Sequence, residues 1–291
     1  MGNCFCNCNE PLIKRHFAIK FPHNTQYIYN NGDTDNFIME ADINTWIQNH
    51  YCVSYWPNWV VYNDDTSKIS EKHTSHGHCK GILTWNNERI GWMCHSVPNF
   101  PREFKRNKIS MIEPSELIYG QSFQYIDIPY TKEMIQKILH QIHIMDSNIY
   151  NSNYTSEYKE YEEMKFPKVN KFNLLKISED IVHIAKPHII QFDIYSDYIA
   201  KNAPYRWNVQ TWKRGHEIKT TNMYIHDINK LKYEHIMYTT HQDHSKWAVS
   251  DNSYYWVGDL NRMTSQFKRG GGGFICRDSN IAIELNKLIL E

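Results

Sequence analysis

No apolar run in this 291-residue chain approaches the ~20 residues that a helix needs to cross a bilayer. Excess charge is missing as well, since 32 Lys and Arg balance 32 Asp and Glu. That balance excludes bulk attraction to nucleic acid, so any such attraction must come from local patches. The N-terminus, Met1-Gly2-Asn3-Cys4, shows no long apolar core of the kind a secretory signal carries. The seven cysteines include a tight run, Cys4-x-Cys6-x-Cys8. One-residue spacing is too short for the usual zinc pair. Three readings of that run stand: an unstructured tail, an acylated anchor at a membrane surface, or a metal site. Position 6 is Cys, where the myristoylation pattern has Ser or Thr.

What is present is a foldable, histidine-rich chain. Hydrophobic content of 41% and aromatic content of 14% suit a packed globule. The length suffices for one large domain or two halves. Sixteen histidines add positive charge as pH falls towards the free imidazole value of about 6.5.

Two triplets carry chemistry, His78-Cys79-Lys80 and His244-Ser245-Lys246. Residues two apart in an extended strand share a face, so each triplet aims an imidazole and an ammonium at one spot. Imidazole attacks or protonates, and ammonium holds an anionic oxygen. With so many His, Lys and Arg the bare spacing is weak. Context strengthens it, because each triplet is followed by a strand-like run, a turn, a second strand and an Asn, namely Asn99 and Asn261.

The pattern predicts a mixed α/β (α+β) fold. Strands are expected at 16–21, 58–63, 80–85, 89–95 and 122–128, then an amphipathic helix capped by Thr131 and running to Met145. The polar stretch 146–170 is expected to join the halves. A second series follows: a helix over 179–185, strands near 188–195, 207–212, 234–240, 244–249 and 253–258, and a capped helix after Asp278. The expected division is a tail at 1–14, an N-terminal half at 15–150 and a C-terminal half at 165–291.

Several segments together resemble the deoxyribonuclease II family, a branch of the phospholipase D superfamily. They are 17–22, 61–64, 77–81, 95–101, 119–121, 209–212, 243–247, 258–262 and 269–272, in the family's order and approximate spacing. The resemblance implies two phospholipase D-like halves forming a pseudodimer within one chain, each giving one His-x-Lys to a central site. It implies a metal-independent, cofactor-free endonuclease acting on DNA through a phosphohistidine, leaving 3′-phosphate and 5′-hydroxyl ends.

The implied catalytic residues are His78, Lys80, His244 and Lys246, with the residues around His244 making it the favoured nucleophile. Asn99, Asn261, His95, Ser96, Asp243 and Asp259 are expected to bind phosphate or support those that do. Trp212, Arg262 and Arg269 are expected to touch nucleic acid. The Arg269–Gly273 run is either a backbone cradle for phosphate or a flexible loop. The spacing His73-x-x-His76-x-His78 superficially resembles a metal cluster, but a nucleophilic His78 is not a ligand.

Family members commonly have cysteines where Ala248 and Trp256 stand here. Losing those partners while keeping the triplets points to a reducing compartment, the cytosol, with the N-terminal cysteines as a route to a membrane. Other phosphodiesters (RNA, cyclic dinucleotides, phospholipid) remain alternative substrates. A non-catalytic nucleic-acid binder is the alternative from another class.

Overall fold

The computed structural model describes residues 12–51, 56–65, 76–167, 169–213, 218, 222–251 and 253–290. The N-terminal cysteines and His73 lie outside them.

In chain order, the first part supplies β1 (Lys14–Lys20), β2 (Tyr27–Asn30), β3 (Ile38–Glu40), β4 (Asn58–Asn63), β5 (Lys80–Trp85) and β6 (Arg89–His95). A small hairpin, β7 (Phe104–Lys105) and β8 (Lys108–Ile109), precedes β9 (Gln121–Pro129) and β10 (Ile149–Asn153). The second part supplies β11 (Asn173–Lys176), β12 (Ile181–Lys186), β13 (Trp207–Gln210) and β14 (Ile225–Asp227). The hairpin β15 (Lys230–Tyr233) and β16 (Ile236–Thr239) follows, then β17 (Trp247–Ser250), β18 (Tyr254–Gly258) and β19 (Gly271–Arg277).

Two large sheets form among the described residues. One is eight-stranded, in the order β10-β4-β5-β6-β9-β1-β2-β3. The other is seven-stranded, in the order β14-β13-β17-β18-β19-β12-β11. The middle five strands follow one plan, since β4-β5-β6-β9-β1 and β13-β17-β18-β19-β12 arise from equivalent places in the two parts.

The strands are apolar on both sides because both sheet faces are covered. One core reaches across both sheets, with Phe17, Leu83, Trp92 and Ile126 against Trp247, Tyr255, Val257 and Phe274. Trp92 meets Phe274 edge-on at 4.9 Å between ring centres, and Phe17 meets Tyr255 at 5.6 Å. A second cluster covers the first sheet's outer face with the helix Ile43–Tyr51. A third covers the other sheet's outer face with the helical turn Ile194–Ile199.

The helix after β9 runs Lys132–Ile144, with the Thr131 side chain accepting from the Met134 N–H at 3.0 Å. Ile135, Ile138, Leu139 and Ile142 form its buried stripe. The closing helix, Ser279–Lys287, is capped by Asp278, which accepts from the N–H groups of Asn280 and Ile281. Both ends are held as the helix-cap rule requires.

Three expectations fail. Residues 179–185 are not helical; most of the run is β12, whose Ile181, His183, Ile184 and Ala185 are buried on both faces and so leave no alternation. The strand near 188–195 is absent, and the π-helical turn Ile194–Ile199 begins at its end. The stretch 146–170 is not merely a junction, because β10 pairs with β4 at the edge of the first sheet.

Candidate active site

The site lies where the two parts exchange hydrogen bonds. The His78 N–H donates to the Gly270 carbonyl at 2.8 Å, and the His244 N–H donates to the Gly120 carbonyl at 2.9 Å. Each histidine is therefore held by the turn leading into the other sheet's central strand, β19 or β9. Gly120 and Asp243 also form an isolated parallel bridge. Each lysine opens or immediately precedes a strand, Lys80 on β5 and Lys246 before β17.

The residues after β6 and β18 brace the next strand of their own sheet in the same manner, and from there reach across to the other half. The Ser96 N–H donates to the Ser122 carbonyl at 3.1 Å, and Ser96 Oγ accepts from the Ser122 N–H at 2.9 Å. The Asp259 N–H donates to the Gly272 carbonyl at 3.0 Å, and its carboxylate accepts from the Gly272 N–H at 3.3 Å. Asp259 also accepts from the Lys80 N–H at 3.4 Å and from Cys94 Sγ at 3.3 Å. Ser122 Oγ in turn accepts from the Lys246 N–H at 3.2 Å. Asp243 Oδ1 accepts from the Ser245 N–H at 2.9 Å and fixes the second triplet's backbone.

The surroundings of the two histidines differ. His78 Nδ1 is 2.7 Å from the Asp259 carbonyl. A carbonyl only accepts, so Nδ1 carries the hydrogen and Nε2 presents its lone pair. Nε2 lies 4.0 Å from the Asp64 carboxylate. Asp64 pairs with Lys80, and at 2.9 Å with Arg269. His244 instead stacks on Tyr119, ring centres 3.9 Å apart, and meets Trp212 edge-on at 4.2 Å. Asp64 and Trp212 follow β4 and β13, while Arg269 and Tyr119 precede β19 and β9. Equivalent positions thus hold a charged pair at one imidazole and an aromatic pair at the other.

Burial sets the electrostatics. Burial, then the Lys80 charge, holds the His78 imidazole well below its usual range. Burial, with Lys80 again adding to it, lowers the Lys246 ammonium to about 7. Burial raises the Asp259 carboxyl to about 7 and the Asp243 carboxyl to about 6. Burial alone would raise Asp64, but Lys80, His78 and Arg269 together hold it below the usual carboxylate range. His95 is buried, lowered to about 3 by burial and then by Lys80 and Lys246, and its Nδ1 accepts from the Val97 N–H at 3.2 Å.

The other expected residues divide. Asn261 is buried beside Trp212, whose N–H donates to its Oδ1 at 3.2 Å. Asn99 has φ +51° and donates its N–H to the Asp65 carbonyl at 2.8 Å. Arg262 does not reach solvent. Its side chain is 2% exposed and pairs with Asp193 at 2.7 Å and with Asp227, so it is a structural ion pair rather than a cation offered to nucleic acid. Arg269 donates to Asp64 and to the carbonyls of His76 and Gly77, so it holds the His78 turn. Gly271, Gly272 and Gly273 form neither cradle nor flexible loop, since they open β19. A Cβ on Gly273 would sit 2.3 Å from the Val257 carbonyl oxygen.

Among the described residues, no group of three or more His, Cys, Asp or Glu is arranged to hold a metal ion. Cys79, Cys94 and Cys276 are free, buried thiols. Residue-by-residue reading missed Asp64 and Tyr119. Both lie in segments that carry the family resemblance, but neither has a spacing that announces chemistry.

A family model described as deoxyribonuclease II matches residues 18–291. The chain belongs to the deoxyribonuclease II family. Mouse deoxyribonuclease-2-beta is 28% identical over 80% of this chain and 70% of its own length. Cell-death-related nuclease 7 of Caenorhabditis elegans is 27% identical over 77% of this chain and 65% of its own. Deoxyribonuclease-2 of the same worm is 29% identical over 73% and 60%. The chain thus spans about two-thirds of the length of these relatives. The deoxyribonuclease II match takes in both triplets, β5, β17 and the reciprocal turns at Gly120 and Gly270.

Proposed function

We propose that this chain is an endodeoxyribonuclease that hydrolyses DNA phosphodiesters without a metal ion, through a phosphohistidine. One observation carries the reading: each His-x-Lys is hydrogen-bonded to the turn of the opposite half, which brings two imidazole–ammonium couples to one seam. Membership of the deoxyribonuclease II family supports the substrate.

Phosphoryl transfer is mainly positioning and neutralisation of the equatorial oxygens. Lys80 and Lys246 face those oxygens, with the Asn261 and Asn99 amides in support. Geometry favours His78 as nucleophile, whereas the sequence context favoured His244. Nδ1–H is committed to the Asp259 carbonyl, and burial keeps the ring neutral. His78 Nε2 bonds to phosphorus as the bond from phosphorus to the 5′ oxygen breaks. His244, against the face of Tyr119, gives that oxygen a proton; an aromatic face favours an imidazolium. Water then attacks phosphorus and surrenders a proton to His244. The P–N bond breaks, leaving a 3′-phosphate and a 5′-hydroxyl.

The test is plasmid DNA incubated in EDTA across about pH 4.5 to 8, with the native chain and with His244→Ala. Nicking that resists EDTA and disappears in the variant is the expected result. Cutting that needs magnesium would overturn the mechanism. Binding without cutting would make the chain a nucleic-acid binder, and cleavage confined to RNA or cyclic dinucleotides would change the substrate.

A further inference from the structure

Two buried lysines outside the triplets occupy matching positions. Lys20 ends β1 and pairs with Gln121, the first residue of β9. Lys186 ends β12 and pairs with Gly271, the first residue of β19. Both are 0% exposed. Among the described residues, neither ammonium is in an ion pair. Lys20 Nζ donates to the carbonyls of Phe21 at 2.7 Å, Asn24 at 3.0 Å and Leu117 at 2.8 Å. Lys186 Nζ donates to the carbonyls of Phe267 at 2.9 Å and Arg269 at 2.6 Å.

The Leu117, Phe267 and Arg269 carbonyls belong to the two turns that hold the opposite histidines, while Phe21 and Asn24 lie in the loop after β1. Leu117 stands two residues before Tyr119, which stacks on His244, and three before Gly120, which accepts the His244 N–H. Arg269 precedes Gly270, which accepts the His78 N–H, and its guanidinium holds Asp64 and the carbonyls of His76 and Gly77.

We propose that Lys20 and Lys186 are positioning residues for the reaction described above, each fixing, through loop carbonyls, the histidine of the opposite half. Lys20 serves His244, and Lys186 serves His78. The inference rests on that functional reading for its catalytic consequence, but the linkage itself is independent of turnover. Burying an ammonium is costly. Burial lowers Lys20 to about 7 against the pull of Asp243 and Glu116, and lowers Lys186 to about 8 against that of Asp146. An uncharged residue at either strand end would avoid that cost, yet both sheets keep the lysine at the same register. A charge-assisted donor reaching two or three carbonyls defines a turn more tightly than neutral hydrogen bonds do.

The experiment uses the full chain with Lys20→Met and Lys186→Met, and the arginine variants beside them. The ring resonances of His78 and His244, assigned with His78→Gln and His244→Gln, are followed by NMR together with kcat and KM on DNA. Lys20→Met should move the His244 resonances and leave those of His78 in place, and Lys186→Met should do the reverse. Each should lower kcat by about 10- to 100-fold, as expected for misplacement on the ångström scale, with KM changed far less. The arginine variants keep a charged donor and should move only the same partner histidine, by smaller amounts. They carry the test if a methionine variant does not fold. Equal movement of both histidines in either variant, or no movement in either, would overturn the proposal. Should the native chain not cut DNA, the proposed function fails, while the crossed resonances still decide whether the linkage exists.

Discussion

In the proposed mechanism a buried lysine beside a second lysine anchors phosphate, and its charge state would set the working pH. Burial and Lys80 lower Lys246 to about 7, so the ammonium is present below that pH and lost above it. Loss of that proton makes log(kcat/KM) fall above about pH 7. Lys246→Met should lower the maximum by about 10²- to 10³-fold, the cost typical of removing one charge-stabilising donor, and make that alkaline limb shallower by about one unit of slope. A variant whose alkaline limb keeps the native slope would show that Lys246 does not titrate there. At this scale the two triplets were legible, because a His and a Lys two apart stand out in the sequence, and the structure brings both to one seam. Asp64 and Tyr119 were not, since a role defined by stacking or by a carboxylate from a distant turn leaves no local pattern. Arg262 was misassigned because a basic residue in a family segment looks the same whether it faces solvent or, as here, is buried against Asp193.

Elements with their own punctuation were read correctly, as were the strands at 58–63, 80–85 and 89–95, whereas β12 and the glycine run were not. The Lys132–Ile144 helix has a capping Thr131 and one apolar stripe, and both are realised. In β12 the burial of neighbouring Ile184 and Ala185, with His183, erased the period-two signal. The glycine run was the harder case, because glycine marks loops and tight strands alike. Its meaning is steric: β19 lies so close to its neighbours that a Cβ on Gly273 meets the Val257 oxygen at 2.3 Å and the Gly258 Cα at 2.5 Å, both backbone atoms that cannot step aside. Gly273→Ala should therefore cost about 3 kcal/mol in denaturant unfolding, at the upper end of ordinary overpacking. A loss under about 1 kcal/mol would mean that β19 has room to relax away from its neighbours.

At the scale of the whole molecule, the sequence showed two triplets, each followed by strand, turn, strand and Asn, but not the sheet order that repeats around them. Matching strands sit at matching places in the two sheets, yet the residues in equivalent roles differ: Ser96 against Asp259, Tyr119 against Arg269, Asp64 against Trp212. Only the geometry of exchange between halves reveals the correspondence. That exchange also predicts how the parts fail. If both imidazoles serve one phosphorus, removing either abolishes the shared transition state, and removing the second takes away little more. The decisive measurement is the rate of plasmid cleavage in EDTA for His78→Ala, His244→Ala and the double variant, each against the native chain. Three losses of comparable size are expected. A double variant whose loss is the product of the two single losses, or a single variant that cuts at the native rate, would contradict a common site.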